Sequence, residues 1–221
     1  MIDLHTHSFF SDGDLLPSEL VRRAEVMGIE TVAITDHVDF SNYLFVIEHL
    51  SAVARELSRK KKGMRVLAGV EITHVPAADI PRLIELSRSA GAGVVVIHGE
   101  TIVEPVEPRT NLYGIQGLAD IIAHPGLITA REAELAAKNG VYLEISGRCG
   151  HSFANGHVAA IARKTGAGLV FDSDTHADRD LMGYDRALKV VRGAGLTEKD
   201  FKNMLTNSQK IVQEREHDPK V

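Results

Sequence analysis

Seven short apolar runs, rich in valine, isoleucine and alanine, recur along the 221-residue chain and alternate with stretches of helical period. The runs cover 2–5, 31–35, 65–70, 93–98, 120–124, 141–145 and 168–172 and are expected to be strands. Helices are expected over 17–27, 43–62, 79–90, 129–138, 156–165 and 179–193, with a last one over 198–205. Strands separated by helices pair in parallel through right-handed crossovers. Seven such units favour a closed α/β barrel over an open sheet. Local signals agree. Thr129 and Glu132 have capping-box spacing. Gly28, Gly91, Gly140 and Gly166 stand where the chain leaves a helix. Segment 99–119 is the longest stretch expected to be irregular, and loops of that length in compact domains usually serve function.

Composition sets the outer limits. With 44% hydrophobic residues, the 221 residues suit a single domain, roughly the last ten forming a loose tail. No apolar run is long enough to span a membrane. The start, Met1 to His5, has neither a basic stretch nor an apolar leader core. The lone Cys149 cannot form an internal disulfide, which fits a reducing cytoplasm. A net charge of -5 disfavours long nucleic acids as partners, although bound cations can reverse the sign locally. Lys60, Lys61 and Lys62 end a helix, where the macrodipole favours them. Nothing in the pattern specifies an oligomeric state.

The unusual count is eleven histidines. Their positions carry the argument. Strand ends supply His5 and His7, Asp36-His37, Glu71, His98, His124, and Asp174 with His176, while Asp12 lies in the loop after the first strand. In a parallel barrel these ends converge on one face. Such a crowd of carboxylates and imidazoles is costly without cations and coherent with them. Imidazole and carboxylate suit zinc, manganese or iron, and no thiolate demands a softer ion. One histidine at a strand end means little; nearly every strand end carrying a ligand type means a metal centre.

These residues fall in recognisable motifs: His-Thr-His at 5–7, Ser-Asp-Gly at 11–13, Thr-Asp-His at 35–37, Gly-Val-Glu at 69–71, His98, Ala-His-Pro at 123–125 and Ser-Asp-Thr-His at 173–176. In that order they resemble the polymerase and histidinol phosphatase (PHP) family, over essentially the whole chain. The resemblance implies a distorted (β/α)7 TIM-like barrel and three divalent metal ions. One ion would take His5, His7, Glu71 and Asp174. A second would share Glu71 with His98 and His124. A third would take His37, His176 and Asp12, a position where some relatives use histidine. Glu71, Asp174 and His176 stand nearest the chemistry. The activity implied is hydrolysis of a small phosphate monoester by a metal-bound hydroxide, with L-histidinol phosphate the leading named substrate.

A phosphate also needs cationic side chains. Arg148, in Ser-Gly-Arg-Cys-Gly-His directly after the sixth strand, is the first candidate; Arg109, Arg179 and His151 follow. His74 is expected to support the site, His157 to lie in or beside a helix, and His49 and His217 to lie off it. Three alternatives stand beside this reading. One is a phosphoesterase of nucleotides or nucleic-acid ends. Another is a non-catalytic metal-binding regulatory module, against which the complete ligand set speaks. The third is a metal-dependent C–N hydrolase, whose barrels recruit a lysine where this chain has Glu71.

Overall fold

The computed structural model describes residues 1–60 and 63–216. Lys61, Lys62 and His217 lie outside the described residues. In chain order the elements are β1 (Ile2–Asp3), α1 (Pro17–Val26), β2 (Thr31–Ile34), β3 (His37–Val38), α2 (Tyr43–Lys60), β4 (Arg65–Ile72), α3 (Ile80–Ser89) and β5 (Val94–His98). They continue with α4 (Thr110–Gln116), β6 (Ile121–Ala123), α5 (Ala130–Asn139), β7 (Tyr142–Ser146), α6 (Asn155–Thr165), β8 (Leu169–Asp172), α7 (Tyr184–Gly193) and α8 (Glu198–Glu216).

All strand pairs are parallel, in the order β1-β2-β4-β5-β6-β7-β8. The sheet closes just beyond β1 and β8. Thr6 bridges Thr175 in parallel, the His7 amide donates to the Thr175 carbonyl at 2.8 Å, and the Asp174 amide donates to the His5 carbonyl at 3.0 Å. The architecture is the distorted seven-stave barrel. Its irregular stave is β2, which breaks at Thr35-Asp36 and resumes as β3 beside β4. Asp36 is turned aside there, accepting from the Ser8 amide at 2.8 Å and from the hydroxyls of Ser8 and Ser11, each at 2.6 Å.

Strand alternation separates two apolar cores. Val95 and Ile97 of β5 face the helices, while Val94 and Val96 face the barrel interior with Ile2, Leu4, Ala33, Ile121, Ala123 and Val170. Ile211 and Val212 of α8 belong to that interior cluster and are buried. The last helix thus runs well past 205, through a polar stretch at 206–210, to seal the barrel with two apolar side chains. The expected tail begins inside this helix. Segment 99–119 also holds more structure than its pattern suggests, because α4 occupies 110–116. The helix expected from 179 starts only at Tyr184, since Gly183 is its extended N-cap. The capping box at Thr129 and Glu132 forms as its spacing predicts, and Gly28, Gly91, Gly140 and Gly166 all have positive φ. Among the described residues, no helix is long and apolar enough to cross a membrane.

Candidate metal centre

The same alternation aims ligands into the mouth. Leu67 of β4 packs on the interior cluster and Glu71 follows in phase with it; Val94 and Val96 precede His98 in the same way. Two of the ligand positions have positive φ, and one of them also breaks the phase. Alternation from Ile121 and Ala123 would send residue 124 outward with Ile122. Instead His124 has φ 30°, and Asp174 has φ 54°. Non-glycine residues in that region cost on the order of 1–3 kcal/mol each and persist where surrounding structure holds them. Both side chains are buried and both line the mouth.

The nine residues expected as ligands meet there; Asp36, the tenth candidate named, does not. Glu71 is the floor. Its carboxylate lies 3.3 Å from His5 Nε2, 3.4 Å from His7 Nε2, 2.9 Å from His37 Nδ1 and 3.5 Å from His124 Nε2. Asp174 lies 3.4 Å from His7 Nε2, 3.3 Å from His176 Nδ1 and 3.7 Å from both His5 and His124. Asp12 reaches in from its loop, 3.2 Å from His176 Nε2 and 3.5 Å from His37 Nε2. His98 stands beside His124, with ring centroids 4.6 Å apart.

The arrangement fits metal ions. Both oxygens of Glu71 are buried and make no hydrogen bond despite four imidazoles around them, and His7, His98 and His124 each bury an unpartnered Nδ1. The Nε2 atoms of His5 and His7 face each other at 3.0 Å, a contact that only one proton can satisfy. Four sets of donor atoms lie within 4.8 Å of one another: His7, Asp12, His37 and His176; His98, His124 and His151; His5, His7 and Glu71; His5, His124 and Asp174. Cations placed among them would satisfy the Glu71 oxygens and the facing Nε2 atoms of His5 and His7 at once. His5 is held as metal-binding histidines usually are, its Nδ1 2.7 Å from the Glu144 carboxylate.

Charge in the site is finely divided. Burial acts to raise Glu71, but His5 and His37 outweigh it and hold the carboxyl well below the usual range. Burial works to lower His37, yet Glu71 and Asp12 carry it up to about 10. Burial and the neighbouring His37 push His7 well down. Asp174 is raised to about 6 by burial, against the pull of His5.

The cavity above this floor has a volume of about 270 Å³. Arg148 lines it, its Nη1 3.3 Å from the Asp174 carbonyl and 3.7 Å from the Asp180 carboxylate. Gly147 lets this loop pass close by rather than turn sharply: a Cβ there would meet the Met182 Cε at 3.0 Å, whereas the left-handed turn is at Gly150, with φ 89°. His151 and His74 also line the cavity. Arg109 and Arg179 do not. Arg109 packs over the Tyr113 ring at 5.1 Å, and Arg179 is exposed. His157 Nε2 donates outside the mouth, to the Ile128 carbonyl at 2.8 Å. Sequence reading missed Glu104, whose carboxylate lies 3.2 Å from His98 Nε2 and 3.3 Å from His151 Nε2.

Comparison with known proteins agrees with this geometry. The model of the PHP domain matches residues 3–164, so the chain belongs to the PHP family, a family of metal-dependent phosphoesterases. The chain is 46% identical to an uncharacterized protein, MJ1295, of Methanocaldococcus jannaschii, over 96% of this chain and 98% of that one. It is 28% identical to a probable phosphatase of Acetivibrio thermocellus, over 86% of each chain. In fold it is similar to a chain of archaeal ribonuclease P in complex with mature tRNA, with a TM-score of 0.70, 16% identity, and 98% and 92% of the two chains covered.

Proposed function

We propose that this protein hydrolyses a small phosphate monoester, held by Arg148 above a trinuclear centre, and that it works in the cytoplasm. The observation that carries the reading is the convergence of a guanidinium and seven of the nine ligand candidates on one cavity of about 270 Å³, with His5 and His7 packed against Glu71 and Asp174 at its floor. That volume accepts a phosphoryl group and little more, so the rest of a substrate extends towards solvent.

His5, His7, Glu71 and Asp174 would hold one ion, Glu71, His98 and His124 a second, and Asp12, His37 and His176 a third. Bound there, zinc, manganese or iron would supply Lewis-acid charge and an acidified water. The remaining work belongs to the chain. Arg148 neutralises the equatorial phosphoryl oxygens as charge builds on them. Asp180 and the Asp174 carbonyl fix the guanidinium in place before substrate arrives. Glu144 orients His5, and burial keeps bulk water from the Glu71 floor.

L-histidinol phosphate is the first substrate to test. The deciding experiment is a phosphomonoester panel, including nucleotides and a 5′-phosphorylated oligonucleotide, after reconstitution with zinc, manganese or iron. Metal-dependent turnover of small monoesters is expected. Turnover confined to the oligonucleotide would move the activity to nucleic-acid ends. Tight metal binding without turnover of any panel member would favour a regulatory module.

A further inference from the structure

Three imidazoles, not two, meet at the β5–β6 side of the mouth. The donor atoms of His98, His124 and His151 all lie within 4.8 Å of one another, and all three residues are buried. The rings of His124 and His151 stack at 4.1 Å with 21° between planes. His151 opens the short 3-10 turn His151–Ala154, and the positive φ of Gly150 brings the chain into it.

The other side of the His151 ring is already engaged. Its Nδ1 lies 2.8 Å from the Thr101 hydroxyl. With the Thr101 oxygen accepting, the proton sits on Nδ1 and the Nε2 lone pair faces the cluster. His5 and His176 are set up alike, with Nδ1 on the Glu144 carboxylate at 2.7 Å and on the Asp174 carbonyl at 3.0 Å. Ligand histidines are ordinarily held this way. The carboxylate of Glu104 gives an independent reading of direction. One of its oxygens lies 3.3 Å from His151 Nε2 and the other 3.2 Å from His98 Nε2, so the two nitrogens face one shared space.

We infer that His151 is a direct ligand of the ion that His98 and His124 hold, not a contact to substrate. This rests on the metal-dependent reading above. It gives that ion three imidazoles beside the bridging Glu71. Such a nitrogen-rich set selects zinc or iron over magnesium and calcium.

The test is metal analysis of the reconstituted protein after dialysis against a graded chelator, with activity read in parallel. His151→Ala should release one ion per chain at ~10- to 100-fold lower chelator concentration than the wild type, the range known for perturbing such sites. Cobalt substitution gives a second readout, since loss of one imidazole changes the visible d–d bands. Thr101→Val, which frees the ring without removing it, should show a smaller shift in the same direction. It carries the test if His151→Ala does not fold. Unchanged metal retention and cobalt spectrum in both variants would overturn the proposal, and a raised KM with all ions kept would make His151 a substrate contact. Wild-type protein that retains no ions would instead overturn the metal-dependent reading itself.

Discussion

The two rims of the mouth use the same device with different rigidity. On one rim Asp12 sits between His37 and His176; on the other Glu104 sits between His98 and His151. Each is a loop carboxylate spanning histidines from separate segments. The Asp12 loop is short and tied down. Ser8 and Ser11 bond to Asp36, the Gly13 amide donates to the Ser8 carbonyl, and the Asp14 amide donates to the His176 carbonyl. A Cβ at Gly13 would lie 2.5 Å from the His7 carbonyl oxygen, so glycine is what lets the loop fold this closely. Glu104 rides a longer loop beside the exposed Ile102 and Val103. Its neighbours are braced mainly from the loop's ends, by Asn111 to Glu100 and by His151 to Thr101. On the proposed reading, the carboxylate anchored on both sides is a fixed ligand, whereas the one carried mid-loop yields to an entering phosphate.

The largest effect should come from the floor that serves both rims. Glu71→Gln is expected to lower kcat/KM by ~10³-fold and to reduce metal content, because one charge faces four imidazoles. His49→Ala, on the outer surface of α2, is the control. Wild-type metal content and activity in Glu71→Gln would remove the shared floor. Next, Arg148→Ala should keep every ion and lower turnover by ~10- to 1000-fold, with weaker inhibition by inorganic phosphate. Loss of metal in that variant would make the Arg148 loop structural. The third prediction separates the rims directly. Asp12→Ala should cost one ion and ~100-fold in turnover, while Glu104→Ala should keep its ion and cost ~10-fold or less. Equal losses would show that both rims are fixed.

Much of this was legible because a barrel strand leaves its mark twice, in apolar alternation and in the residue that ends it. His98 and Glu71 could be placed by that logic alone, whereas His5 follows the interior Leu4 out of phase and is marked only by its place at the strand end. Other features left weaker marks. β3 is two residues long, too short for any period. α4 begins after a left-handed Arg109 and includes Asn111, Tyr113 and Gly114, so its pattern read as loop. That same left-handed turn accompanies the placement of Arg109 over Tyr113, away from the phosphate corner where it was expected. Glu104 shares its loop with Glu100 and Glu107, and nothing in spacing distinguishes the one that reaches the histidines. His151 carried a usable signal, a histidine just past a strand end behind a glycine. What the sequence could not show is which way its ring turned.

The smallest expected effect is a difference in how the rims respond to acid. In the metal-free site His37 is carried up to about 10 by Glu71 and Asp12, against burial, so it is protonated at neutral pH. His151 is lowered to about 3 by burial and by His124, so it is neutral there. An ion entering the Asp12 rim must displace the His37 proton; one entering beside His151 displaces none from that ring. Below pH 10, each unit of acidification therefore weakens the Asp12-rim ion by about 10-fold through His37. His98 is also raised, against burial, by its hydrogen bond to Glu104 and by Glu71, so the other rim is shallower only where His98 has already lost its proton and His37 has not. Chelator competition between pH 6.5 and 8.5 should show the Asp12-rim ion leaving first as pH falls. Asp12→Ala, which lacks that ion, should show a flatter profile for the ions it keeps. Identical pH slopes in wild type and Asp12→Ala would mean that the two rims carry the same proton load, and the contrast between them would then be one of loop anchoring alone.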